Sequence, residues 1–291
     1  MSQTSPEPSA APTKQALYLF LKLNLWLCSM SALLVVITAY AVGVPVASVG
    51  VGIVVPALLF YFIYVEDRRS VSPEDWSNQP GRTAMVTTYS AALLKTEVVA
   101  LVLYEAVLVY SVFTPPGRSA WLLLLGQIPF VILALYDQIK RLPAGDSVAV
   151  GATWAYVGVF AIVVSTDVAV TSSVVLAFVG WFLIVFGGVE SRNIDDITGD
   201  TDAEKPTLAG RLGPRRAKLL ESMLKLLGVG VFWLVAGALA AVMVLGYLLT
   251  LRSFRLLTRR ADTLLAGDGY PLLPDQQLRE DERLERHATD G

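Results

Sequence analysis

The chain is short of charge, and it has one cysteine and one histidine. Of its 291 residues 16% are charged against 54% hydrophobic, at a mean hydropathy of +0.57. Soluble domains carry about a quarter charged residues. Too little charge is present to coat a water-facing globule, so the composition is that of an integral membrane protein. A formal net charge of −2 excludes a strongly basic nucleic-acid binder. The lone Cys28 excludes an internal disulfide and a thiolate metal cluster. The lone His287 sits in a polar tail, which makes histidine zinc sites, haem pairs and Ser-His-Asp triads implausible. Chemistry in this chain falls to carboxylates, Lys, Arg and Tyr.

What is abundant is apolar sequence in blocks. A helix needs about 20 residues to cross the hydrocarbon core. Blocks of that kind fall at 17–42, 46–65, 91–113, 119–139, 148–166, 172–189 and 224–251. They predict an all-α, multi-pass transmembrane bundle of about seven spans with a cytoplasmic polar cap. The blocks are continuously apolar rather than alternating, which argues against a β-barrel. Gly43 and Pro45 punctuate the first pair, and Pro115, Pro116 and Gly117 the third and fourth. These short connections predict antiparallel neighbours. Residues 1–13 read as a disordered leader and not as a signal peptide, 14–251 as the membrane domain, and 252–291 as a basic amphipathic surface helix with a disordered tail.

Lys and Arg set the orientation. They concentrate after spans two, four and six (Arg68, Arg69 and Arg82; Lys140 and Arg141; Arg192 to Lys218), while the other loops carry only Arg118. The N-terminus and the acidic loops are therefore expected on the cytoplasmic face of the cell membrane. The tail conflicts with seven spans, which place Arg252, Arg255, Arg259 and Arg260 outside. Either the rule fails there, or residues 219–251 form a broken or re-entrant pair around Gly228, Gly230 and Gly237. Against the pair, 33 residues are too few for two full crossings at about 1.5 Å per residue.

Two loops are acidic as well as basic. The first runs from Glu66 to Thr83 and includes Asp67, Arg68, Asp75 and Arg82; the second runs from Asn193 to Leu208. Each follows an even-numbered span, an echo of the kind left by a duplicated bundle. Asn193, Asp196 and Asp200 are spaced by three and four, so on a helix they share one face. Such a stripe of oxygens suits Mg²⁺, which takes carboxylates together with substrate phosphate oxygens. Asp67 and Asp75 supply a facing half. Tyr136 and Lys140 lie one helical turn apart at the end of span four, where Lys140 and Arg141 can neutralise diphosphate oxygens. Taken singly, each element reads as an ordinary charged membrane edge or a snorkelling anchor.

Together these segments resemble the UbiA-type membrane prenyltransferases. Asn193-Ile194-Asp195-Asp196-Ile197-Thr198-Gly199-Asp200, with Thr207-Leu208 and Leu212-Gly213 downstream, is similar to the family's second aspartate-rich motif. Tyr136 with Lys140 resembles its Y-x-x-x-K element. The first motif is degenerate: Asp67 takes the Asn place, Arg68 the first Asp place, Val71 the middle one, and Asp75 the last.

The resemblance covers most of the chain and implies Mg²⁺-dependent transfer of a polyprenyl group from its diphosphate to a lipid or aromatic acceptor. It implies metal ligation by Asp67, Asp75, Asn193, Asp196 and Asp200, and diphosphate contacts from Arg68, Arg82, Tyr136, Lys140, Arg141 and Asn193. Asp75, Asp196, Asp200 and Lys140 are the implied catalytic groups. Tyr61, Tyr64, Tyr104 and Trp154 are candidate aromatic faces for an allylic cation. The family usually has nine spans, and its first motif usually carries an acid where Val71 stands. The alternative is therefore a catalytically impaired homologue that binds isoprenoid or acts as a scaffold. A small transporter using Lys95 and Glu105 is a third reading, disfavoured because the acidic clusters sit at the membrane edge rather than the midplane.

Overall fold

The computed structural model describes residue 17 and residues 20–71, 80–114, 118–197 and 206–265. The described residues are helical, with no strand among them. The helices are α1 (Trp26–Ala41), α2 (Val46–Val49), α3 (Val54–Arg69, entered through a 3₁₀ turn, Gly50–Ile53), α4 (Pro80–Thr88), α5 (Ser90–Phe113), α6 (Trp121–Gly126), α7 (Ile128–Ile139), α8 (Gly145–Ser165), α9 (Ser172–Asp195), α10 (Leu208–Leu212) and α11 (Pro214–Leu265).

Among the described residues five helical segments are long and apolar enough to cross a membrane: Val46–Arg69, Trp121–Ile139, Gly145–Ser165, Ser172–Asp195 and Pro214–Ala261. The other two expected spans differ from these. The block at 17–42 is broken at residues 23–25, where Asn24 adopts φ +57°, a left-handed conformation that Asn tolerates better than most residues. What remains is the 16-residue α1. The block at 91–113 forms the 24-residue α5, which carries Lys95, Glu97 and Glu105. Glu97 does not pair with Lys95, two residues away on the same helix. It reaches Arg69 of α3 at 2.6 Å instead.

Outward-facing side chains are apolar, as lipid contact requires: Val102, Phe113, Leu226 and Leu234 are all more than half exposed. The core lies between α1, α8, α9 and α11. Trp181 of α9 is fully buried there, its Nε1 donating to Thr38 Oγ1 at 2.8 Å. The span expected at 148–166 starts earlier, at Gly145, and that expected at 172–189 runs on to Asp195. Polar pairing between the two helices extends both beyond their apolar blocks. Asn193 Nδ2 donates to Asp146 Oδ2 at 3.1 Å, and Ser147 Oγ donates to Glu190.

The last element bears on the placement of the tail. α11 is interrupted at Ala236 (φ −139°) and Gly237 (φ +77°, ψ −168°), and the contacts on either side run in opposite directions. Before the break, Glu221 lies beside Gly187, Gly228 beside Gly180, and Phe232 against Trp181. After it, Tyr247 packs on Trp181, and Arg255 bonds to Ser191 and Asp195. The first arm thus descends along α9 and the second climbs back, forming a helical hairpin with arms at 214–235 and 238–265.

The 33 residues from 219 to 251 are only part of this hairpin. The arms are 22 and 28 residues, each long enough to cross at about 1.5 Å per residue. Residues 252–261 do not form a separate helix. They continue the second arm, with Phe254 stacked on Trp26 at 5.3 Å and Arg255 and Arg259 paired to Asp195.

Candidate functional site

One end of the bundle gathers the polar ends of several helices. They are the C-termini of α3, α7 and α9 and the N-termini of α5 and α8, joined by the contacts of Arg69 with Glu97, Asn193 with Asp146, and Arg255 with Asp195. Within this end lies a half-open cleft of about 580 Å³, its open mouth included. α3 contributes Phe60, Ile63, Tyr64 and Asp67; α7 contributes Pro129, Ile132, Leu133 and Tyr136; α8 contributes Ala149, Val150, Thr153 and Trp154; α9 contributes Arg192. The wall is thus apolar and aromatic, with a few polar groups at one end.

Local spacing explains who faces in. On α3, Phe60, Ile63, Tyr64 and Asp67 recur at three and four residues, one face of a helix. On α7, Pro129, Ile132, Leu133 and Tyr136 do the same. Phe60 stacks on Trp154 at 4.2 Å, and Trp154 Nε1 donates to Tyr64 Oη at 3.1 Å.

Of the expected site residues, Asp67 and Tyr136 line the cleft. Arg68 stands beside them: it is paired with Asp67 at 3.4 Å, and its charge acts on both Tyr64 and Tyr136. Asp196 ends α9, its amide bonded to Arg192 O, and lies within electrostatic reach of the Arg192 guanidinium.

Others are placed elsewhere. Lys140 follows the last residue of α7, and its ammonium is paired with Asp137 at 2.7 Å; it is not among the lining residues. Arg141 is exposed in the turn beyond. Asn193 is 1% exposed and turns its amide to Asp146 and Ser147 of α8, tying two helices together. Arg82 is buried on α4. Asp75 and Asp200 lie outside the described residues. Among the described residues no three His, Cys, Asp or Glu side chains come close enough to hold a metal ion. Tyr64 and Trp154 are the aromatic candidates found at the cleft. Tyr104 is buried and donates to Gly126 O at 2.7 Å, and Tyr61 donates to Thr96.

Sequence reasoning missed Arg192 as a site residue, since it served only to count basic loop residues. It also missed Asp146, Ser147 and Glu190. The signal for Asp146 was present, because Gly145-Asp146-Ser147 just before an apolar block is a helix-start pattern. No family model matches the chain, and no curated protein or solved structure matches it at a significant level.

Proposed function

We propose that this chain is an integral membrane prenyltransferase of the UbiA type. It moves a polyprenyl group from its diphosphate to a lipid or aromatic acceptor, with its N-terminus and acidic loops cytoplasmic. The observation that carries the reading is the convergence of three motif-bearing segments, far apart in sequence, on one amphipathic cleft. Asp67 comes from the first motif, Tyr136 from the Y-x-x-x-K element, and Arg192 directly precedes the second motif. An apolar slot with a polar end matches a ligand that has an isoprenoid tail and an anionic head. Counting each arm of the hairpin as a crossing gives eight in place of the seven expected, and that even number accords with both ends of the hairpin lying on the basic side.

The carboxylates offer oxygen donors only, the set that Mg²⁺ prefers. Asp67 and Asp196, with Asp75 and Asp200, would hold it, and the ion would neutralise charge building on the leaving diphosphate. The chain's own groups do the rest. The bond between prenyl C1 and the diphosphate oxygen breaks, and the electron pair leaves with pyrophosphate. Arg68, Arg192 and the Tyr136 hydroxyl stabilise that charge. The faces of Tyr64, Trp154 and Phe60 shield the allylic cation from water and stabilise it through their ring quadrupoles. The acceptor attacks C1 and loses a proton.

The test is transfer by membranes containing the chain, supplied with radiolabelled prenyl diphosphates and Mg²⁺. Labelled lipid and released pyrophosphate are expected, and Asp196→Ala is expected to remove both. Specific retention of prenyl diphosphate without any turnover would support the alternative, an isoprenoid-binding homologue. That alternative draws on Val71, which gives the first motif no middle carboxylate.

A further inference from the structure

We infer that Arg255 is a positioning residue. Its guanidinium sets the rotation of the last turn of α9, which keeps Arg192 at the cleft with Asp196 beside it and holds Asp195 away. This rests on the function proposed above, since Arg192 and Asp196 are the groups placed, but one half of its test does not require turnover.

The last turn of α9 is committed in three directions, residue by residue. Glu190 and Asn193 face α8, where they meet Ser147 and Asp146. Arg192 lines the cleft, and Asp196 lies within electrostatic reach of its guanidinium. Ser191 and Asp195 face the second arm of α11. Helical residues four apart share a stripe, and successive residues step round by about 100°. The stripe of Ser191 and Asp195 is therefore the neighbour of the stripe of Arg192 and Asp196, and fixing the first aims the second.

Arg255 makes that fixation. Its Nη1 donates to Ser191 Oγ at 2.7 Å, and its Nη2 donates to Ser191 O at 2.8 Å and to Asp195 Oδ2. Arg259 Nη2 donates to the same carboxylate oxygen. Exposed ion pairs contribute little, and the Arg259 side chain is 52% exposed. Arg255 differs, because Ser191 is 8% exposed and the bonds to it are sheltered from water. The planar fork reaches both acceptors in one geometry, which a lysine ammonium does not reproduce. A basic group near a helix C-terminus also complements the dipole, but any nearby cation would do that without selecting one stripe.

The consequence falls on the adjacent acids. Two guanidinia hold Asp195 on the arm, which leaves Asp196 as the member of the pair beside Arg192. Without Arg255 the end of α9 turns about its remaining ties to α8, and Asp195 competes with Asp196 for the cations at the cleft. A displacement of about 1 Å at a reacting centre can cost about 100-fold in rate.

The experiment uses the purified full chain in lipid nanodiscs and reads two quantities. The first is transfer from a radiolabelled prenyl diphosphate with Mg²⁺ and a lipid extract as acceptor. Arg255→Ala is expected to lower kcat roughly 10- to 100-fold with KM for the diphosphate within about threefold of wild type. Arg255→Lys is expected to fall between. Arg252→Ala, which removes an exposed charge from the same arm, is expected to behave as wild type. The second quantity is hydrogen exchange at the amides of 192–196, expected to quicken about tenfold or more in Arg255→Ala while α8 keeps its protection.

Unchanged exchange at 192–196 overturns the inference. So does quickened exchange with kcat intact, or a loss of kcat that Arg252→Ala reproduces. A wild type that never transfers ends the transferase reading instead; quickened exchange confined to 192–196 then still supports the hold of Arg255 on α9. If Arg255→Ala does not fold, Arg255→Lys is read against the same outcomes.

Discussion

At the scale of single residues, burial and partners separate two kinds of polar group. Asn193 is enclosed, and its amide donates to Asp146 beside buried Glu190. Asn193→Asp would remove that donor and place a third carboxylate among two others. Like charges so close disfavour ionisation of each, and breaking a buried polar contact costs about 1–3 kcal/mol. The melting temperature of this variant is expected to fall by several degrees, with no gain in Mg²⁺ binding. A more stable protein that binds Mg²⁺ more tightly would mean that Asn193 faces a metal rather than α8.

Asp67 and Asp196 are the other kind, partly exposed at the polar end. Alanine at either is expected to cut prenyl transfer by at least about 100-fold, the scale of losing one electrostatic contact to developing charge. Thermal stability should change by less than about 1 kcal/mol. A variant that keeps full transfer would remove its residue from the site.

At the scale of elements, the hairpin in α11 rests on one backbone conformation. Gly237 has φ +77° and ψ −168°, a region open essentially to glycine alone. A Cβ added there would meet nothing within 4 Å. Gly237→Ala is therefore expected to cost about 1–3 kcal/mol through backbone strain alone, read as a drop in melting temperature. Gly228 is the contrasting case. A Cβ there would come within 2.8 Å of Gly180 O, so Gly228→Val must push the first arm off α9, at about 1–3 kcal/mol. Equal tolerance of both substitutions would contradict this packing.

The hairpin was hard to read from sequence, because a two-residue break leaves the apolar run unbroken and three glycines competed for the role. The apolar helices were legible, since lipid-facing and core-facing positions are both apolar and the blocks stand out. Their ends were less so. α8 and α9 run past their apolar stretches because Asp146, Ser147, Glu190 and Asn193 satisfy one another across the interface, a pairing that neither segment announces alone.

At the scale of the whole molecule, the two arms of α11 return the chain to the end where it entered. Phe254 stacks on Trp26, Thr258 donates to Leu21 O, and Arg255 and Arg259 hold Asp195. Trp26 and Arg260 should thus lie on one side of the membrane. With Cys28 replaced by Ser, single cysteines at positions 22 and 260 are expected to react with an impermeant thiol reagent from the same side; opposite labelling would rule out the hairpin.

The same end carries the cleft, and two of the residues singled out in the sequence line it. Asp67 and Tyr136 were identified because acidic loops and a Tyr-Lys turn are conspicuous in a chain with so few charges. Arg192 was not, because a basic residue at a membrane edge is ordinarily an orientation signal, and only the three-dimensional placement of α3, α7 and α8 turns it toward a cavity.

The most direct test of the account is release of pyrophosphate from a labelled polyprenyl diphosphate by the purified, reconstituted chain, followed with and without Mg²⁺ and an acceptor-containing lipid extract. The account predicts pyrophosphate and labelled lipid appearing in equal amounts, and neither appearing with Asp196→Ala. Intact polyprenyl diphosphate after prolonged incubation across donors of several chain lengths would contradict it.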